Sequence, residues 1–131
     1  MATVAAMAVD GVKATTAQIG ADAYVVSVSG ELDIATAGRF AEEFERTAER
    51  NARRVIVDLV GLTFIDSVAL GVLTEEARRL RAAGGTCIVV SQDPRILRVF
   101  EITGLDRIFR IERSLAEAVE GAIATNGVAA R

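Results

Sequence analysis

Three short segments hold the residues best placed to do chemistry. Gly30-Glu31-Leu32-Asp33, Gly61-Leu62-Thr63-Phe64-Ile65-Asp66-Ser67 and Ser91-Gln92-Asp93-Pro94 each follow an apolar, mostly β-branched run and precede a helical pattern. In open α/β sheets, loops at the carboxyl ends of the strands gather ligands and partners. The middle segment is the most pointed. Asp66 and Ser67 have oxygens suited to the first turn of a helix, where N–H groups lack partners within the helix. Those groups and the helix dipole also favour an anion. Ser67 therefore has two readings. Either it or Asp66 caps the helix, or Ser67 accepts a phosphate, which adds about −1.5 to −2 charges and three acceptor oxygens there. Phe64 and Ile65 are either an exposed partner contact or, for at least one of them, buried under the helix. Asp33 and Asp66 could pair across the rim, but nothing local brings them together, and separate cap or loop roles are the simpler expectation.

Composition removes many chemistries. The 131 residues contain no His, one Cys and no Trp, and carry a net charge of −3. Histidine-based triads and general bases are excluded, as are the common Cys/His zinc sites and any intramolecular disulfide. Lys13 is the sole lysine, so there is no phosphate-binding Gly-x-x-x-x-Gly-Lys loop. Asp58 lies near a strand end, as in a phosphoaspartate receiver, but that chemistry needs a lysine in a late loop. An acidic chain with 5% aromatics suits neither a duplex backbone nor single-strand stacking. The expectation is a cytoplasmic protein that is not an enzyme. It has no catalytic residue, metal or cofactor, no direct nucleic-acid partner and no membrane insertion.

The elements that must position these segments alternate in type. Weak strand character over Val12–Ile19, a Gly20–Ala23 turn and a strand over Tyr24–Ser29 predict an antiparallel edge hairpin. Thr36–Arg50 is helical, with Ala37, Phe40, Ala41, Phe44 and Ala48 on one face and Glu42, Glu43, Arg46 and Glu49 on the other. Arg53–Val60 reads as a mostly buried strand. From Asp66, a helix carries the stripe Leu70, Leu73, Ala77, Leu80 and stops at Gly84-Gly85. Arg78, Arg79 and Arg81 lie a turn from Glu75 and Glu76, which predicts a solvated, ion-paired face. Thr86–Val90 is a strand in which Cys87 is a small buried hydrophobe rather than a redox group. Asp93-Pro94 opens a helix that ends at Gly104. A short strand over Arg107–Ile111 and a helix from the Ser114/Glu117 capping box complete the order. This predicts one α/β domain with a mostly parallel sheet. Its expected extent is residues 11–121, after a loosely ordered 1–10 and before a flexible tail, 122–131.

Val55-Ile56-Val57-Asp58-Leu59 followed by Phe64-Ile65-Asp66-Ser67-Val68-Ala69-Leu70-Gly71-Val72-Leu73 resembles the signature of STAS domains. Gly30-Glu31-Leu32-Asp33, Gly84-Gly85 and Thr103-Gly104-Leu105 fit in register. At this length the chain is similar to bacterial anti-sigma factor antagonists. The resemblance implies helices mainly on one face of the sheet and a partner-switching role in transcription regulation. In that role the unmodified protein binds an anti-sigma factor serine kinase. Phosphorylation at the position matching Ser67 releases it, and a serine phosphatase resets it. The partner surface implied is Asp33, Phe64, Ile65, Asp66, Val68, Leu70 and Gly71. The family run Asp-Ser-Ser/Thr-Gly-Leu-Gly is altered here, because Val68 replaces the second hydroxyl residue and Ala69 the glycine. Alanine adds about 1 kcal/mol of helix propensity at that point. A second implied role is a STAS-type accessory subunit of a membrane lipid-transport ATPase, with Ser67 only a cap. Oligomeric state is not fixed by either.

Overall fold

The computed structural model describes residues 2–9 and 11–128, with side chains over 11–123. The core is built on short strands with apolar residues on both faces. In β4 (Arg54–Asp58), Val55, Ile56 and Val57 are completely buried, because the sheet is covered on both sides there. Val55 and Val57 face one apolar cluster and Ile56 the other. The same alternation holds in β3 (Ala23–Leu32), where Val26 and Val28 oppose Val25. It holds again in β6 (Thr86–Val90), where Cys87 and Val89 oppose Ile88 and Val90. Strict period-2 alternation of pleated strands makes this two-sided burial possible.

The sheet runs β1-β2-β3-β4-β6-β7, with β7 at Arg110–Glu112. From β3 onward neighbours are parallel, whereas β1 (Ala2–Val9) and β2 (Val12–Gln18) join antiparallel. Helices α1 (Ala37–Glu49), α2 (Ser67–Ala82) and α3 (Pro94–Thr103) contribute to the larger cluster. Helix α4 (Leu115–Val128) covers the other face through Ala118 and Ala122. Three helices on one face and one on the other is the expected STAS-like arrangement.

Four expectations need correction. The hairpin strand β2 is not the sheet edge, because residues 2–9 of the expected loose leader form β1 and pair with it from Ala2↔Gln18 to Val9↔Val12. The expected tail from 122 continues α4 to Val128, and Ala122 is buried. Residues 1, 10 and 129–131 lie outside the described residues. Glu43 is not on the solvent face of α1. Its buried carboxylate accepts from Thr16 Oγ1 at 2.7 Å and from Arg46 Nη1 at 2.6 Å, so hydrogen bonds offset its desolvation. Glu76 likewise is not solvated but buried between α2 and α1.

The middle segment, expected as loop, contains a further strand. After Asp58 the chain turns over Leu59–Gly61, with Asp58 Oδ1 accepting from Val60 N at 3.0 Å. It then forms β5 (Leu62–Ile65), which runs parallel to the last residues of β3. One edge of β3 is thus shared: Ala23–Ser27 pair with β4, and Gly30–Leu32 pair with β5.

Candidate functional site

The end of β5 delivers Asp66 to the start of α2, and each of its carboxylate oxygens has a separate task. Oδ1 accepts from Ala69 N at 2.9 Å, capping the helix. Oδ2 accepts from Ile34 N at 3.0 Å, tying α2 to the connection between β3 and α1. The Asp66 N–H donates to Leu32 O at 3.1 Å, so the helix start is also held by backbone. Asp33 folds its own connection. Its Oδ1 accepts from Ala35 N at 2.9 Å and Thr36 N at 3.1 Å, and Thr36 Oγ1 donates to Glu31 O at 3.1 Å. Asp33 and Asp66 therefore serve neighbouring N–H groups of one loop as separate cap and loop acids. They come closer in the fold than the sequence indicates, because β3 and β5 lie side by side.

Ser67 is the first residue of α2 and is exposed. Its Oγ has no hydrogen-bond partner among the described residues; Asp66 does the capping. The hydroxyl consequently stands free at the positive end of a sixteen-residue helix. Around it, Phe64 (48% exposed) and Val68 (44%) present apolar surface, and Gly71 follows one turn on. Ile65 and Leu70, expected on the same surface, turn the other way, into the core. Ile34, 72% exposed, joins the same neighbourhood through its N–H bond to Asp66. Sequence reasoning missed Ile34; a lone large aliphatic residue in an Asp-x-x-Thr loop was the available signal. Ala69 is fully buried, so its methyl group sits against the core rather than on the exposed face beside Ser67.

The third segment contributes less. Ser91 is buried, and Asp93 caps α3 by accepting from Arg95 N at 2.9 Å. The Arg95 side chain bonds the same carboxylate and holds it below its ordinary value. Among the described residues there is no group of three or more Cys, Asp or Glu that could hold a metal, and no helix long and apolar enough to cross a membrane.

An exposed hydroxyl on a helix start held by the Asp66 hydrogen bonds, with apolar surface exposed at Phe64 and Val68, suits a small α/β protein-docking module. Comparison with known proteins gives that module its family. The STAS domain model matches residues 14–118. A candidate anti-sigma factor antagonist from Thermotoga neapolitana is 31% identical over 100 residues, covering 76% of this chain and 88% of that one. The crystal structure of an anti-sigma factor antagonist from Mycobacterium paratuberculosis is 28% identical, covers 87% of this chain and 96% of its own, and superposes with a TM-score of 0.77. The Bacillus cell fate determinant SpoIIAA, solved in its phosphorylated form, shares the fold at 21% identity and a TM-score of 0.68, over 83% of this chain and 98% of its own. The chain belongs to the STAS domain family, among the anti-sigma factor antagonists.

Proposed function

We propose that the chain works by partner switching, docking on a kinase-type anti-sigma factor and leaving it when Ser67 is phosphorylated. The observation that carries this is the division of labour at α2: Asp66 holds the helix start, so the Ser67 hydroxyl is exposed and uncommitted. In the transfer, Ser67 Oγ attacks the γ-phosphorus of ATP bound to the partner, and the bond to the β–γ bridging oxygen breaks. ADP leaves, and the hydroxyl proton passes to a base of the kinase. A serine phosphatase returns the hydroxyl by hydrolysing the phosphoester. Every catalytic group in this cycle belongs to the partners.

Phosphorylation takes the net charge from −3 to about −5, with the new charge in the middle of the Ile34, Phe64, Val68 face. That face would otherwise meet its partner by apolar contact. Desolvating a dianion there is costly, and each 1.4 kcal/mol weakens the complex tenfold. The fold is spared, because the first-turn N–H groups and the helix dipole already favour an anion.

Phosphate-affinity electrophoresis with the cognate anti-sigma kinase and ATP tests the proposal. A shifted band in the wild type that Ser67→Ala abolishes is the expected result. An unshifted band, with the chain instead co-purifying with a lipid-transport ATPase through ATP treatment, selects the accessory-subunit role. Ser67→Asp is expected to weaken the kinase complex at least tenfold while the melting temperature stays within a few degrees of wild type.

A further inference from the structure

We propose that a cleft on the far half of α2 binds a small anionic amphiphile: an unbranched apolar chain with a carboxylate or phosphate head. The cleft measures about 470 Å³, within the range of small-molecule sites, and lies between α2, β6 and the Ile108-Phe109 segment before β7. Ala77, Cys87 and Phe109, all buried, form its floor. Here Ala77, Ala82 and Cys87 are too small to fill the space between the helix and the strand end. Ile108, half exposed, adds an apolar lip.

The polar groups at the cleft converge on one charge. Arg78 and Arg81 line it, and no carboxylate does. Arg78 shares its guanidinium with Glu75 at 3.4 Å, whereas Arg81 has no ion-pair partner among the described residues. The Thr74 hydroxyl is engaged with Leu70 O at 2.8 Å. Cys87 adds no opposing charge, since burial pushes its thiol up to about 12. Two guanidinium groups beside an apolar trough, on a chain of net charge −3, form a local positive site. Guanidinium recognises carboxylate and phosphate in a bidentate manner, and the trough takes the tail.

The cleft also has a defined relation to the docking face. Ser67, Gly71, Thr74, Arg78 and Arg81 recur at three- and four-residue spacing, so they lie along one side of α2. At 1.5 Å per residue, Arg78 is about 16 Å along the axis from Ser67.

Isothermal titration of the full chain with decanoate and with decyl phosphate, each below its micelle concentration, tests this. At least one is expected to bind saturably, and the tighter of the two identifies the head group. Decanol should bind at least tenfold more weakly than that anion, and the double variant Arg78→Gln/Arg81→Gln should lose at least tenfold. Both arginines are at the surface, so that variant keeps the core. Cys87→Leu, which fills the floor, should abolish binding without lowering the melting temperature. No saturable binding of either anion, or equal binding by decanol or by the double variant, overturns the proposal.

Discussion

Asp66 is the residue on which the geometry of the site turns, because one carboxylate both caps its own helix and holds a loop residue 32 positions earlier in the chain. Replacing it by alanine removes an N-cap, worth about 1–2 kcal/mol, and frees the Ile34 N–H as well. Chemical denaturation of Asp66→Ala is expected to show an unfolding free energy lowered by that amount, through a lower midpoint at an unchanged slope. Phosphoryl transfer to Ser67 should slow in the same variant, since the helix start is no longer held against the loop. Asp66→Asn, which keeps the acceptor toward Ala69 N, should fall between. This half of the site is legible in the sequence: an Asp-Ser pair ahead of a Leu70, Leu73, Ala77, Leu80 stripe marks a helix start wherever it occurs. The pair alone does not say which of the two residues caps; the structure gives the cap to Asp66. The bond to Ile34 was not legible, because it depends on β3 and β5 lying side by side.

At the scale of elements, Gly30 lets β3 change partners. Its φ of +93° is in the region that glycine tolerates, and a Cβ there would collide with the Gly11 carbonyl oxygen. That same oxygen accepts from Glu31 N at 2.6 Å. Gly30→Ala therefore combines backbone strain with a steric clash, and an expected loss of about 2–4 kcal/mol should be visible as a lower melting temperature. Elements with strong local patterns were legible: β6 is found where it was expected, and α3 runs between the Pro94 start and the Gly104 stop. The misses are elements whose signal is not local. β5 has four residues, of which Thr63 and Phe64 are exposed, so it has neither the length nor the alternation of an ordinary strand. β1 is rich in alanine, a weak strand former, and is specified by its pairing with β2. Glu43, three residues after Phe40 and four before Thr47, lies on the buried face of α1, where Thr16, on a strand far away in sequence, offers it a hydrogen bond.

For the whole molecule, the pH dependence of stability should carry the mark of Glu76. Burial between α1 and α2, a hydrogen bond with Glu45 and repulsion from Glu45 and Glu75 raise its carboxyl from 4.5 to about 7, against the opposing pull of Arg79. Between those values the folded chain binds a proton that the unfolded chain has lost. Stability from this group is therefore complete below about pH 4.5 and declines as pH rises through 7. Glu76→Gln should raise the melting temperature by a few degrees at pH 8 and change it little near pH 4.5, as measured by scanning calorimetry. A decline between about pH 4.5 and 7 that is as steep in the variant as in the wild type would contradict this. The divided edge of β3 has a consequence of another kind. Only three residues of that strand hold β5, whereas five hold β4. The segment that delivers Ser67 can thus come away while the central strands stay paired. In deuterium-exchange mass spectrometry, peptides across 62–66 should label well before those across 54–58, so that the segment leading into α2 yields without global unfolding.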